Sequence, residues 1–294
     1  MNAGILAPGY APPVMPRGLL GDPQPVPMPY GRAGRWTPLD LGSSLAVWFD
    51  ADDRSSIALN GSAVSQWYDK SGNGRHVSQA AASQQPAYGA NTLNGRPVIR
   101  FDGVNDTLQR ATARLNGLSF VSIFAVLRYI TATNEDMVVG IGSAGSTASI
   151  RAMYRGATSS STTQGFSGWN RDVFSSAYSV DVAGGFHIFA VWNVALASPN
   201  NVFISRDGLS DAYSSAGTFG GGTANTLAAT ADGLGIGELV GSTTRYTNAD
   251  YAEVVILSTA ISQNDRLLLE GYLAWKWGLQ NNLPASHLFR SVAP

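Results

Sequence analysis

The sequence predicts an all-β protein: an antiparallel β-sandwich with an extended N-terminal arm and one C-terminal helix. Three observations lead there. From about residue 40 onward, short apolar or alternating runs are separated by clusters of Gly, Asn, Asp and Ser, the texture of a sandwich or barrel. Charged residues make up only 13% of the chain against 44% hydrophobic. A large core must then be covered mainly by Ser, Thr, Asn, Gln and Gly, which suits strands and polar loops better than salt-bridged helices. Prolines concentrate at one end, where Pro8, Pro12, Pro13, Pro16, Pro23, Pro25, Pro27, Pro29 and Pro38 are nine of the 14 in the chain. The length, 294 residues, fits one sandwich plus an arm.

The arm comprises residues 1–38. Alternation such as Pro23-Gln24-Pro25-Val26-Pro27-Met28-Pro29 removes backbone donors and fixes φ, so this segment is expected to be extended and polyproline-like, with no core of its own. A disordered tail is the plain alternative. The interspersed apolar residues Ile5, Leu6, Tyr10, Val14, Met15, Leu19, Leu20 and Tyr30 would suit a groove on a neighbour, which favours an assembly arm.

Residues 39–294 form the folded domain. Strands are expected over 45–49, 64–68, 97–101, 119–127, 136–141, 148–154, 165–169, 185–192, 201–205, 233–238 and 250–257. Trp48, Phe49, Trp67 and Phe101 alternate with polar neighbours and read as inward-facing. Turns are expected at Ser71-Gly72-Asn73-Gly74, Asn94-Gly95, Asp207-Gly208 and Gly220-Gly221-Gly222. The polar stretches 155–182 and 206–232 read as surface loops. A helix is expected over about 262–277, with Ser262 as N-cap, Asp265 supporting the first turn and Gly278 at the C-cap. Leu267, Leu268, Tyr272 and Trp275 are its expected apolar face.

Composition excludes several classes of function. Net charge is −1 with no basic run, so nucleic-acid binding has no visible electrostatic source. Cysteine is absent, which removes disulfides and thiolate metal sites. The first residues lack a basic segment followed by an apolar one, so no signal peptide is expected, and no apolar run approaches the roughly 20 residues needed to span a bilayer.

Five segments carry a family resemblance. They are Leu45-Ala46-Val47-Trp48-Phe49-Asp50-Ala51-Asp52-Asp53, Val64 to Gly74, Asn94 to Asp106, Tyr251-Ala252-Glu253-Val254-Val255-Ile256, and Gly271 to Leu279 followed by Leu283-Pro284. In this order they resemble the concanavalin A-like lectin/glucanase (laminin-G-like) domains of phage structural proteins and bacterial surface proteins. The resemblance covers roughly residues 40–290. It implies a jelly-roll sandwich and says little about activity. Members that cleave polysaccharide carry a strand of the form Glu-x-Asp-x-Glu, and none of Glu135, Glu238, Glu253 and Glu270 lies in one. No Gly-x-Ser-x-Gly elbow or zinc-spaced His pair occurs, and His187 reads as a structural strand residue. The chain is therefore expected not to be an enzyme.

No cofactor is implied except calcium, which such domains often hold at a loop rim. Asp50, Asp52, Asp102 and Asp106 would be its ligands, although Asp is equally the common turn residue and turns are the favoured reading. Glycan binding is the chemistry expected, with Trp169, Tyr178, Tyr213 and Tyr246 as a sugar platform or, alternatively, as caps on the core. The resemblance and the arm together imply a decoration, fibre or tail component at a virion surface. In that reading residues 1–38 dock on other virion proteins, the chain forms a homo-oligomer, and the domain contacts host surface polysaccharide. The alternatives are a carbohydrate-binding adhesin module and a polysaccharide depolymerase.

Overall fold

The computed structural model describes residues 35–131 except 116 and 119, then 136–142, 150–157, 160–167, 173–179, 184–193, 202–211, 213–214 and 232–294. The chain divides into Met1–Ala33 and Gly34–Pro294. The first unit lies outside the described residues, and with it every arm candidate from Ile5 to Tyr30.

Among the described residues, every strand pairing of the second unit is antiparallel and one α-helix is present. Its strands are β1 (Leu45–Asp50), β2 (Ile57–Asn60), β3 (Ala63–Trp67), β4 (Val77–Ser78), β5 (Ala87–Leu93), β6 (Arg96–Asp102), β7 (Leu108–Arg110), β8 (Ser122–Tyr129) and β9 (Asp136–Gly142). They continue as β10 (Ile150–Ala157), β11 (Ser160–Ser167), β12 (Val173–Ser179), β13 (His187–Asn193), β14 (Val202–Arg206), β15 (Leu209–Asp211), β16 (Tyr213–Ser214), β17 (Leu234–Ile236) and β18 (Asn248–Leu257). The helix α1 spans Gln263–Trp277.

Strand β18 is the spine. It pairs with β8 along one edge and with β6 and then β1 along the other. Beyond β8 follow β13, β14 and β15. A second run passes from β2 through β3, β4, β7, β17, β9, β10, β11 and β12 to β16. Strand β5 joins the runs, pairing with β6 on one side and, at Ala87↔Ala63, with β3 on the other. The result is one nearly closed, barrel-like sheet, so the jelly-roll sandwich of two sheets is met only as far as an all-β antiparallel fold with one helix.

Two large apolar clusters follow from the period of 2 along each strand, with a small third one at Met137, Ile150, Ala152, Tyr154 and Leu239. The inner one is enclosed by the two runs and holds Phe49, Trp67, Phe101, Leu127, Val139 and Tyr251. The outer one lies under α1 and holds Trp48, Val98, Phe124, Val255, Leu273 and Trp277. Trp48 thus faces the helix rather than the interior, because it is adjacent to inward-facing Phe49 and successive side chains point to opposite faces. Burial of each such side chain contributes roughly 1.5–3 kcal/mol.

The helix matches its expected ends. Ser262 Oγ accepts from Asp265 N at 3.1 Å, and Gly278 closes the C-terminus with φ of 71°, a left-handed conformation that favours glycine. Its buried residues differ from expectation. Leu268 and Tyr272 are buried, but Leu269, Leu273 and Trp277 join them while Leu267 and Trp275 are half-buried. Trp275 is turned to the C-terminal segment, donating from Nε1 to Phe289 O at 2.6 Å. The helix is covered from two sides, so its apolar arc is wider than a single face.

The loop expected over 155–182 contains β11 and β12, and that over 206–232 contains β15 and β16. These strands are Ser- and Thr-rich without apolar alternation. Ladder bonds to neighbours such as β10 define them, and a local pattern cannot report such partners.

Candidate functional site

The residues that carry the family resemblance converge where β1, β18 and α1 meet. Glu253 accepts from Trp48 Nε1 at 2.6 Å, Trp277 Nε1 at 2.6 Å and Tyr272 OH at 3.1 Å. Lys276 Nζ lies 2.8 Å from Glu253 and 2.7 Å from Asp50. Lys70 Nζ lies 2.8 Å from both Asp50 and Asp53, over the Trp48 ring at 4.3 Å. The charges alternate along Asp53–Lys70–Asp50–Lys276–Glu253. Asn94 Nδ2 adds a bond to Trp277 O at 2.6 Å. Asp69 pins the turn after β3 by accepting from Trp48 N at 3.0 Å and Arg75 N at 2.9 Å.

A β-bulge puts Glu253 there. Tyr251 opposes Leu127 and Glu253 opposes Val126, leaving Ala252 as an extra residue. Before the bulge Ala249 and Tyr251 face the inner core; after it Val254 and Ile256 do. Ala252 and Glu253 both end on the helix side. Burial raises the Glu253 carboxyl above its ordinary range, although Lys276 and Trp277 pull it down. Burial alone would lower the Lys70 ammonium, but Asp50 and Asp53 outweigh it and the net direction is up.

Two carboxylates on facing strands invite comparison with glycosidases, whose carboxyl pair must reach a sugar. Here Lys276 occupies the gap, and Glu253 is 0% exposed beneath three aromatic rings. This cluster clamps the helix to the sheet.

The calcium candidates are likewise engaged. Asp50 holds the two lysines and Asp52 pairs with Arg96. Asp102 Oδ1 accepts from Val104 N at 2.8 Å and Asn105 N at 3.2 Å, while Asp106 Oδ2 accepts from Asp102 N at 3.0 Å. Among the described residues, no three His, Asp or Glu side chains group as a metal site. His187 Nδ1 lies 2.5 Å from Asp207 Oδ2.

A different arrangement lies on the same sheet face, next to the helix-covered area. Asp250 on β18 stands directly opposite Arg100 on β6 and Arg128 on β8. Arg100 donates through Nε and Nη2 at 2.5 and 2.9 Å, and Arg128 through Nε and Nη2 at 3.2 and 2.6 Å. Asp250 is fully buried, while the side chains of Arg100 and Arg128 are 27% and 30% exposed. Asn91 Nδ2 donates to Asp250 at 3.3 Å, Asn248 Nδ2 donates to Thr131 Oγ1 at 2.9 Å, and Arg128 lies over the Phe186 ring at 4.9 Å. Polar groups here are fixed on a rigid sheet.

Of the aromatic candidates, Trp169 lies outside the described residues. Tyr178 and Tyr213 fall on the paired strands β12 and β16, with Tyr213 opposite Ser175. Tyr246 is half-buried in the segment entering β18, and burial, then the Glu238 charge, raises its hydroxyl. Sequence reasoning missed Arg100, Arg128, Asp250 and Asn91. The available signal was an arginine set among apolar residues in each of two strands, Val98-Ile99-Arg100-Phe101 and Phe124-Ala125-Val126-Leu127-Arg128.

No protein-family model and no curated protein sequence matches the chain. Solved structures do. Domain 4 of AbnA, a GH43 extracellular arabinanase from Geobacillus stearothermophilus, in complex with arabinotriose, matches at TM-score 0.52 and 11% identity over 74% of this chain and 94% of that one. A mutant GH54 α-L-arabinofuranosidase matches at TM-score 0.52 and 14% identity over 76% of this chain and 51% of that one. The binding domain of Paraclostridial Mosquitocidal Protein 1 matches at TM-score 0.52 and 10% identity over 80% of this chain and 53% of that one. The chain thus spans about half the length of the last two, and about a third of the Trypanosoma rangeli sialidases it also matches at TM-scores below 0.5.

These likenesses establish a shared fold. They also correct the expectation of a chain that is not an enzyme, because the fold is one that a GH54 glycosidase and a domain of a GH43 arabinanase carry. The absence of a Glu-x-Asp-x-Glu strand does not exclude catalysis on such a fold.

Proposed function

We propose that the chain is a carbohydrate-binding domain that presents Arg100, Arg128, Asn91, Asn248 and Thr131 to a glycan. The observation that carries this reading is the partly exposed polar row beside the helix-covered area of the sheet, held in place by the buried Asp250 carboxylate. Hydroxyl-rich ligands are recognised by side chains that need no reordering on contact. The fold shared with an arabinanase domain in complex with arabinotriose supports it. Affinity electrophoresis of the purified chain through gels containing arabinan, polygalacturonate or dextran tests it. Retardation by at least one polymer is expected, reduced by Asn91→Ala and Asn248→Ala. Free migration in all of them overturns the proposal.

The finer fold reading is a concanavalin A-like jelly roll, supported by an inner core enclosed between two runs of strands. Trp169, Tyr178, Tyr213 and Tyr246 are proposed as a second stacking surface, tested by Tyr246→Ala in the same gels. Placement at a virion surface, with residues 1–38 contacting other virion proteins, rests on the sequence resemblance and on the proline content of that segment. Limited proteolysis of the free chain and of a native particle tests it: protection of residues 1–38 only in the particle is expected, and equal cleavage sinks the idea.

A further inference from the structure

We propose that the Arg100–Asp250–Arg128 row selects carboxylate-bearing glycans, a specificity that rests on the carbohydrate-binding reading above. The argument starts from what Asp250 requires. A fully buried carboxylate needs a cation and bonds to both oxygens. Arg100 alone supplies these, Nε to Oδ1 and Nη2 to Oδ2. Arg128 adds a second guanidinium to the same carboxylate and leaves the row with one positive charge in excess.

Among the described residues, no second carboxylate pairs with the row. Asp102, two residues along β6 from Arg100, turns its carboxylate to the N–H groups of its own turn. Asp52 is taken by Arg96. Nη1 of Arg100 and Nη1 of Arg128 have no hydrogen-bond partner among the described residues.

Geometry then selects the ligand. Both arginines directly oppose Asp250 in register, so one carboxylate draws their guanidiniums together from two neighbouring strands. Charge-assisted bonds from a planar guanidinium fit a planar carboxylate. Because Asp250 already holds both side chains, little rotamer freedom is lost on binding. Asn91 stands beside the row, bonded to the same carboxylate, and offers an amide to a neighbouring hydroxyl. The ligand class is a polymer of uronic or similar acidic sugars.

The test uses the full chain with three probes: polygalacturonate, the same polymer fully methyl-esterified, and dextran sulfate. Isothermal titration is expected to show binding to polygalacturonate and at least about tenfold weaker binding to the ester, the effect of losing one charge-assisted contact per site. Arg100→Gln and Arg128→Gln should each weaken polygalacturonate about tenfold. Each leaves Asp250 one arginine, and thermal melts check that both variants stay folded. Arg128→Lys keeps the charge but loses the fork, and should weaken binding even if a Gln variant fails to fold. Equal affinity for acid and ester, or arginine variants that bind as the parent does, overturns the carboxylate specificity and leaves the carbohydrate reading standing. Tighter binding to dextran sulfate with the same arginine dependence also overturns it. Binding to none of these polymers nor to arabinan and dextran sinks both.

Discussion

Asp50 and Glu253 stand opposite each other across β1 and β18, and one ammonium, Lys276 Nζ, lies 2.7 Å from the first and 2.8 Å from the second. The helix therefore closes over a buried ion network as well as over apolar side chains. Four of the five segments that make the sequence recognisable place side chains in that network, and the remaining one bonds the helix end through Asn94.

Lys276→Met leaves two facing carboxylates with only Lys70 to compensate. The expected loss is about 3–5 kcal/mol in urea denaturation, the range for breaking a buried pair from one side. Lys70→Met should cost less, about 1 kcal/mol, since Lys70 is more exposed and Asp50 keeps Lys276. Equal losses would show that the helix contact is not the decisive one.

Deletion of Ala252 removes the bulge and makes Glu253 the residue after inward-facing Tyr251, so strict alternation keeps Glu253 on the helix side and Val254 and Ile256 in the inner core. With each side chain on its native face and Glu253 still beside its lysine and indole partners, the deletion is expected to fold. The readout is the near-ultraviolet circular dichroism of the aromatic core, and loss of the native spectrum would show that the local twist of the bulge, and not residue parity alone, aims Glu253.

The Asp106 carboxyl is pushed up to about 6 from 3.8 by burial and then by the Asp102 charge. Its folded pKa lies above its unfolded one, so its contribution to stability is complete below pH 3.8 and is lost as pH rises through about 6. Asp106→Asn, whose amide oxygen can still accept from Asp102 N, removes that loss. Unfolding free energies should coincide with the parent near pH 4 and favour the variant at pH 7 by on the order of 1–2 kcal/mol after solvent screening. A variant less stable at pH 7 would show that the ionised form is the one the turn prefers.

Gly278→Ala is expected to cost about 1–2 kcal/mol. Its backbone is left-handed with φ of 71°, and a Cβ would come within 2.5 Å of Asn94 Nδ2, the atom that bonds the helix end. Differential melting of the two proteins checks this, and an unchanged midpoint would mean that Asn94 moves aside freely.

The sequence by itself determined the all-β class, the helix with its Ser262 and Gly278 ends, the Asn94-Gly95 and Asp207-Gly208 turns, and most apolar strands. These are properties of residues close in the chain: a period of 2, a capping hydroxyl, or φ values of 50° and 82° at Asn94 and Gly95. Only the tertiary structure decided which carboxylates meet which cations. Asp50 and Glu253 are partners 203 positions apart, joined by strand register, and Glu253 faces the helix because Ala252 is bulged out of the alternation. The Arg100–Asp250–Arg128 row was illegible for the same reason: a period along one strand tells which face a side chain takes, but not which strand lies beside it.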